Sequence, residues 1–173
     1  CVDQVVVTTD DPKIADIAKA GGAEVPFLRP PELATDEAPG IAPVLHALER
    51  LDEVTDILLL QPTSPLRTSG DIDEIFALRH QQGKDSAVSL TKSNKHPAWM
   101  FSLTQKQQLK PLIETKSAFR RQDLPATYVL NGAIYLASRD FLQKELSFIG
   151  KDTVGYVMPF ERSVDIDTPS DWL

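Results

Sequence analysis

The feature that most constrains the fold is the alternation of short apolar, strand-like runs with amphipathic helical segments. Three consecutive valines occupy residues 5–7, and further strand-like runs occupy residues 57–60 and 86–90. The first helix is predicted to begin after Asp11, which can cap it, with Pro12 in its first turn. Strands that alternate with helices indicate a mostly parallel sheet covered by helices on both faces. The sequence therefore predicts an α/β fold.

The same alternation continues along the rest of the chain. Apolar residues recur every three or four positions in residues 41–51, which predicts a second helix, and Thr68 or Ser69 can cap a third. Residues 128–137 predict a strand interrupted by Asn131 and Gly132. A helix near residue 140 and a strand at residues 154–159 follow. No internal boundary is apparent, so residues 1–173 are predicted to form a single domain.

Composition excludes several classes of protein. The formal charge of −7 and a pI of about 4.9 argue against nucleic acid as a partner. The only cysteine is Cys1, which excludes an internal disulfide framework and favours a cytoplasmic location. No apolar run approaches the roughly 20 residues of a membrane span, so no membrane partner is expected.

Residues 92–125 depart from the alternating pattern. Trp99, Met100 and Phe101 lie there among many Gln and Lys residues, with neither a helical nor a strand period. We interpret this segment as an excursion from the core. Its aromatic residues either dock against a partner subunit or fold back as a β-hairpin on their own domain.

The start of the chain also carries information. It begins with Cys1, and the predicted strand at residues 5–7 follows almost at once. We therefore expect an N-terminal piece of the folded unit to be missing, with natural processing as the alternative.

Two carboxylates, Asp165 and Asp167, follow the last predicted strand. In an extended segment they project to the same side while Ile166 points away. Mg²⁺ commonly takes one or two carboxylates together with substrate phosphates, so this pair is a candidate metal site. The alternative is that Asp167 or Thr168 caps a helix that starts at Pro169.

Two polar loops are further candidates for ligand binding. Residues 61–67 follow a predicted buried strand, and ligands of open α/β sheets bind beyond the carboxyl ends of strands. A proline-braced connection is the alternative. Arg29 in the loop at residues 29–36 is a candidate phosphate ligand or a solvated side chain. The chain has no GxSxG, HExxH, GxGxxG or P-loop motif.

Taken together, four segments closely resemble the acylneuraminate cytidylyltransferases, also called CMP-sialic acid synthetases. They are R-P-x-x-L-A-x-D at residues 29–36, Q-P-T-S-P-L-R at residues 61–67, N-G-A-I-Y at residues 131–135 and D-I-D at residues 165–167. The resemblance implies a Rossmann-like three-layer α/β/α nucleotidyltransferase fold. It also implies transfer of CMP from CTP to the anomeric hydroxyl of a sialic-acid-like nine-carbon 2-keto acid sugar, with release of pyrophosphate.

The resemblance further implies roles for individual residues. Asp165 and Asp167 would be catalytic and would bind Mg²⁺, with Mn²⁺ as an alternative ion, and the excursion would form a homodimer. The other implied contacts fall into two groups, the nucleotide site with Arg29, Ala38 and Gly40, and the sugar-acid site with Gln61, Arg121, Asn131, Tyr135 and Phe148.

One part of the family pattern is missing. The family begins with a strand and a phosphate-binding loop rich in Gly, Ser, Arg and Lys, and no such segment occurs here. The chain as written is therefore expected to be inactive alone. The alternatives are a cytidylyltransferase for legionaminate, pseudaminate or Kdo, and a non-catalytic nucleotide-binding or dimerisation module.

Overall fold

The computed structural model describes residues 2–114, 120 and 123–172. Their helices and strands are α1 (Pro12–Ala20), α2 (Ala42–Leu48), β1 (Asp56–Leu59), α3 (Ser69–Gln81), β2 (Ser86–Lys92), β3 (Phe101–Leu103), β4 (Leu109–Pro111), β5 (Tyr128–Ser138), α4 (Arg139–Glu145) and β6 (Val154–Val157). Short 3-10 helices occur at Pro31–Leu33, Pro97–Trp99, Phe160–Arg162 and Pro169–Trp172.

The central sheet has four strands in the order β1-β5-β2-β6. Strand β5 pairs antiparallel with both β1 and β2, whereas β2 and β6 pair in parallel. Strands β1, β2 and β6 therefore all run in one direction and β5 runs against them. The predicted α/β fold is confirmed, and its sheet is mixed, because the reversal of β5 makes two of the three strand pairs antiparallel.

Two hydrophobic clusters cover the two faces of this sheet. Neighbouring strand residues point to opposite faces, so Ala87 joins one cluster and Val88 the other. The cluster around Val88 includes side chains of α2 and α4, and the cluster around Ala87 includes Ile75 of α3. Helices therefore lie on both sides of the sheet, in the predicted three-layer arrangement.

The second helix is shorter than its apolar periodicity predicts. The pattern extends over residues 41–51, but α2 ends at Leu48. The Arg139 guanidinium donates hydrogen bonds to the carbonyl oxygens of Leu48 and Leu51, at 2.8 and 3.0 Å. These bonds satisfy carbonyls that a helix end leaves without partners, so the chain can leave the helix here.

The buried strand predicted at residues 5–7 is not present. The structure shows there only an isolated parallel bridge between Val6 and Glu24, and Val5 is 59% exposed. Three valines favour an extended backbone, but within the described residues no neighbouring strand covers this segment on both faces.

Strands β3 and β4 form a separate antiparallel hairpin inside the excursion. Phe101 pairs with Pro111 and Leu103 with Leu109. Every residue of both strands is exposed, so the hairpin does not fold back onto the core sheet. The predicted role of the excursion in dimerisation stays a prediction.

No helix among the described residues is both long and apolar enough to cross a membrane. The cytoplasmic location remains a prediction.

Candidate active site

Three segments that carry the predicted site residues meet at the edge where β1, β2 and β6 end. They are the loop at residues 61–67 after β1, the bulge at residues 131–132 in β5, and residues 158–167 after β6. Because β5 runs in the opposite direction, its first half reaches the edge that the other three strands reach with their last residues. Because β5 is reversed, its residues 131–132 lie beside the loop that follows β1 and the segment that follows β6.

The loop at residues 61–67 is held in shape by its own arginine. The Arg67 guanidinium donates hydrogen bonds to the carbonyl oxygens of Gln61 and Ser64, at 2.7 and 2.6 Å. It also contacts the carbonyl oxygen of Ala133 in β5, at 3.4 Å. Burial lowers the pKa of Arg67. Arg67 is therefore a positioning residue that ties the loop to the central strand.

The bulge requires a glycine at position 132. Gly132 has a φ of +72°, in the left-handed region where glycine has no steric penalty. A Cβ atom added there would lie 2.8 Å from Gln61 Oε1, 3.3 Å from Ser64 Oγ and 3.3 Å from Asp165 Oδ2. Three polar side chains thus converge on the space above Gly132, and two of them, Gln61 and Asp165, are predicted site residues.

The segment with Asp165 and Asp167 is anchored through the residue between them. The Ile166 amide donates a hydrogen bond to the carbonyl oxygen of Thr63, at 2.8 Å. Both carboxylates are exposed, and neither accepts a hydrogen bond within the described residues. The following turn is capped instead by Asp171, whose carboxylate accepts from the amides of residues 167 and 168 at 3.1 and 2.6 Å. The Asp167 carboxylate therefore caps no helix among the described residues, whereas Thr168, the other proposed cap, directly precedes the 3-10 helix at Pro169–Trp172.

Tyr135 and Phe148 lie on the side of the sheet that faces α2 and α4. Their ring centroids are 5.7 Å apart. Burial and the nearby Asp165 carboxylate raise the pKa of the Tyr135 phenol. Phe148 is buried in the core cluster, with only 7% of its surface exposed.

The ligands available at Asp165 and Asp167 suit Mg²⁺ bound together with a phosphorylated substrate. The described residues hold no group of three or more His, Cys, Asp and Glu side chains that could enclose a metal without other ligands. Mg²⁺ usually keeps several waters and takes one or two carboxylates with substrate phosphates. Two exposed carboxylates without protein partners fit this requirement.

A cleft of about 290 Å³ adjoins this group of side chains. It contains all three predicted nucleotide-site residues, Arg29, Ala38 and Gly40, and extends to Gln61. The Arg29 guanidinium donates hydrogen bonds to the carbonyl oxygen and hydroxyl of Thr8 on the neighbouring segment. Gln61 therefore borders both the cleft and the space above Gly132, which Asp165 also borders.

The last two predicted site residues are Asn131 and Arg121. Asn131 is 5% exposed, and its side-chain amide is hydrogen bonded to other protein groups. Its predicted contact with a sugar acid stays a prediction. Arg121, which was also predicted to belong to the sugar-acid site, lies outside the described residues.

The chain matches one known protein family over nearly its whole length. A sequence model described as "Cytidylyltransferase" matches residues 1–168. The chain belongs to the cytidylyltransferase family.

An N-acylneuraminate cytidylyltransferase of Streptococcus agalactiae is 32% identical over 169 residues, which are 98% of this chain and 41% of that protein. The chain thus spans about two fifths of that relative's length. A CMP-N,N'-diacetyllegionaminic acid synthase of Legionella pneumophila is 36% identical over 178 residues, which are 99% of this chain and 76% of that protein.

The fold of the family is also found in a solved structure. A CMP:2-keto-3-deoxy-manno-octonic acid synthetase, complexed with CTP, superposes with a TM-score of 0.68 and 15% identity. The superposition covers 98% of this chain and 77% of that one. At this identity the likeness concerns the fold alone, and it agrees with the Rossmann-like α/β fold expected from the sequence.

One ion pair in this cytidylyltransferase chain escaped sequence reasoning. The buried Asp71 carboxylate accepts two hydrogen bonds from the Arg162 guanidinium, at 3.1 and 2.6 Å. It also accepts from the amide and hydroxyl of Thr68, at 2.8 and 2.7 Å, in a capping box at the start of α3. The Thr-x-x-Asp spacing is visible in the sequence. Arg162 lies 91 residues away, so no local pattern could reveal it.

The Asp71 ion pair predicts a specific dependence of stability on pH. Burial raises the pKa of Asp71, but hydrogen bonds from Arg162 and Thr68 outweigh this effect and hold the pKa well below its usual range. The carboxylate therefore stabilises the fold fully above its unfolded-state pKa of about 3.9, and this stabilisation is lost as the pH falls towards the folded-state pKa. We expect Asp71→Asn to lower the free energy of unfolding by about 3 kcal/mol at pH 7.

Urea denaturation between pH 7 and pH 3 measures this effect. The difference between wild type and Asp71→Asn should narrow below about pH 4. Asp16→Asn, on the exposed face of α1, is the control and should have little effect on the free energy of unfolding between pH 7 and pH 3. A difference that stays constant across this range would contradict the proposed role of the Asp71 charge.

Proposed function

We propose that the protein transfers CMP from CTP to the anomeric hydroxyl of a sialic-acid-like nine-carbon 2-keto acid sugar. The anomeric oxygen would form a bond to the α-phosphorus of CTP as the bond to the β-phosphate breaks. Pyrophosphate would leave, and the hydroxyl proton would pass to solvent. The products would be the CMP-sugar and pyrophosphate.

The observation that carries this proposal is that Gln61 connects two regions. On one side it lines the cleft with Arg29, Ala38 and Gly40, and on the other it lies at Gly132 beside Asp165. A nucleotide in the cleft would then have its phosphates directed towards the carboxylates. Gln61 and Tyr135 would contact the acceptor, which would approach over Gly132.

In this proposal Asp165 and Asp167 hold Mg²⁺, or Mn²⁺ in its place. The ion would neutralise charge on the phosphates of CTP and on the departing pyrophosphate. The protein's share is to hold both substrates in line and to supply the two carboxylates, since such transfers depend mainly on positioning and electrostatics. Arg121 is the proposed partner of the acceptor's carboxylate, because a guanidinium binds carboxylates in a bidentate pair.

The identity of the acceptor sugar is the finer part of the proposal. The name of the relative from Streptococcus agalactiae supports an acylneuraminate as the acceptor. The name of the relative from Legionella pneumophila supports a diacetylated legionaminate as the acceptor. Both names describe a sugar acid activated as its CMP derivative, so the class of reaction is common to them. We propose a sialic-acid-like acceptor, with legionaminate as the second candidate.

Pyrophosphate release by the complete protein tests the proposal. CTP and Mg²⁺ are supplied with N-acetylneuraminate, a legionaminate, a pseudaminate or Kdo, and reactions without sugar or without metal are the controls. We expect release that depends on both metal and sugar, fastest with the first two acids. Binding of CTP without turnover on any acid would instead support a non-catalytic nucleotide-binding module.

We also propose that the protein is a homodimer. The hairpin and the residues beside it expose many large apolar side chains, namely Trp99, Met100, Phe101, Leu103, Leu109, Leu112 and Ile113. Apolar patches of this kind usually mark protein–protein contacts. A second copy of the same chain is the occupant we propose.

The hairpin offers a matched pair of variants to test dimerisation. Leu103 and Leu109 face each other across the strands, so replacing both with glutamate should convert a dimer into a monomer. Ser102→Glu places a charge on the opposite face of the same strand and should leave the dimer intact. Sedimentation equilibrium measures the mass, and a monomeric wild-type protein would refute the proposal.

A further inference from the structure

The side-chain amide of Asn131 has all its hydrogen-bonding capacity used by the protein. Its nitrogen donates to Ser163 Oγ at 2.9 Å and to Met158 Sδ at 3.3 Å. Its oxygen accepts from Ser89 Oγ at 2.6 Å and from the Ala133 amide at 3.3 Å. An asparagine side chain has two N–H groups and two lone pairs on its oxygen. None of the four is left for a ligand in this arrangement.

The two serines on either side of Asn131 are similarly engaged. Ser89, in β2, is 1% exposed and accepts from the Ile134 amide at 2.8 Å. Its hydroxyl has two acceptors within reach, and Asn131 Oδ1 at 2.6 Å is nearer than the Ile134 carbonyl oxygen at 3.1 Å. Ser163 donates its proton to the carbonyl oxygen of Pro159 at 2.8 Å and accepts from Asn131. The network thus joins β2, the bulge of β5 and the segment that follows β6.

Ser163, the member of this network nearest to Asp165 in the sequence, precedes Asp165 by two residues. Ser163 is held by Asn131, and Ile166 is held by the carbonyl oxygen of Thr63 at 2.8 Å. The Asp165 backbone is therefore fixed on both sides. Breaking one bond of a buried network leaves its other polar groups without partners, which costs more than a single exposed hydrogen bond contributes.

We propose that Asn131 is a positioning residue, whose amide holds Ser163 so that the Asp165 carboxylate stays beside Gln61. In this role Asn131 does not contact the sugar acid. The inference rests on the proposed function in taking Asp165 as a metal ligand. Mg²⁺ requires near-ideal octahedral geometry, so a small displacement of one ligand weakens the site.

Ser163→Ala is the decisive variant. It removes the acceptor for the Asn131 nitrogen but changes no group that we place in contact with a substrate. Groups that orient metal ligands typically change metal affinity by about 10-fold to 100-fold, and we expect a weakening of about 10-fold for Mn²⁺ in the presence of CTP. We also expect kcat to fall while the KM for the sugar acid stays within about twofold of wild type.

Three variants of the complete protein, Ser163→Ala, Asn131→Ala and the double variant, should behave alike. If both side chains act in one network, the double variant should be no worse than Asn131→Ala. Ser93→Ala is the matched control, because Ser93 also makes two local hydrogen bonds, at 2.6 and 3.2 Å, but lies outside the network. Isothermal titration calorimetry gives the Mn²⁺ affinity independently of turnover, and thermal unfolding monitors the fold.

Failure of this inference is distinct from failure of the proposed function. Unchanged Mn²⁺ affinity in Ser163→Ala, or an Asn131→Ala variant altered only in the KM for the sugar, would overturn the positioning role. If wild type binds Mn²⁺ with CTP but transfers no CMP, the proposed function fails while the affinity comparison still tests the network. A wild-type protein that binds no Mn²⁺ with CTP would overturn both.

Discussion

Replacing Asp165 with alanine should reduce kcat by roughly a thousandfold while leaving the fold intact, and Asp167→Ala should have a comparable effect. Removal of one group that stabilises developing charge typically costs between about a hundredfold and a thousandfold in kcat. Both carboxylates are exposed and accept no hydrogen bond within the described residues, so their loss should not unfold the protein. Steady-state assay of CMP transfer, with circular dichroism to monitor the fold, measures both effects.

Glu161→Ala is the matched control for these two variants. It removes an exposed carboxylate from the same segment, four residues before Asp165. Because Glu161 makes no hydrogen bond or ion pair with a site residue in the part of the chain that the structure describes, kcat should remain close to that of wild type. Activity retained in either aspartate variant would remove the basis for a metal site at residues 165–167.

The second large effect is expected from Gly132→Ala. A non-glycine residue with a left-handed backbone costs about 1–2 kcal/mol. The new methyl group would also lie 2.8 Å from Gln61 Oε1, so the Gln61 side chain must move. We expect a modest loss of stability and a loss of at least about a hundredfold in kcat/KM, because a displacement of about 1 Å at a site can cost that much.

Gly83→Ala separates the effect of backbone strain from the effect of crowding by the new methyl group. Gly83 has a φ of +60° but no atom within 4 Å of its added Cβ, so this variant carries the backbone strain without crowding. It should lose similar stability and keep its kcat/KM. If Gly132→Ala and Gly83→Ala proved equally active, the space above Gly132 would not be part of the site.

The location of the site follows from the sequence because its parts are local patterns. The loop at residues 61–67 follows β1 at once, the Asp165 pair follows β6 after a short 3-10 helix, and α/β sheets bind ligands at that edge. The structure brings both segments together, with Gln61 Oε1 and Asp165 Oδ2 on the same side of Gly132. The capping box at Thr68 was likewise visible as a spacing of residues.

Other features depend on the tertiary arrangement, which local patterns do not contain. The direction of β5 is one example, because its apolar run reads the same for a parallel or an antiparallel strand. The partners of Asn131 are another, since Ser89 and Ser163 lie 42 and 32 residues away. The early end of α2 also depends on Arg139, more than 80 residues further along the chain.

The reversed strand β5 has a consequence for how substrates are accommodated. Tyr135 lies opposite Leu59 of β1 and opposite Val88 of β2, so its backbone is paired on both sides. In the proposed function Tyr135 contacts the acceptor, so the acceptor would meet a strand that is hydrogen bonded to a neighbour on each side. Adaptation to the size of the bound molecules would fall to the loop at residues 29–40 across the cleft. Under the proposed function, the acceptor would therefore meet a fixed strand, and the nucleotide would meet the loop on the other side of the cleft.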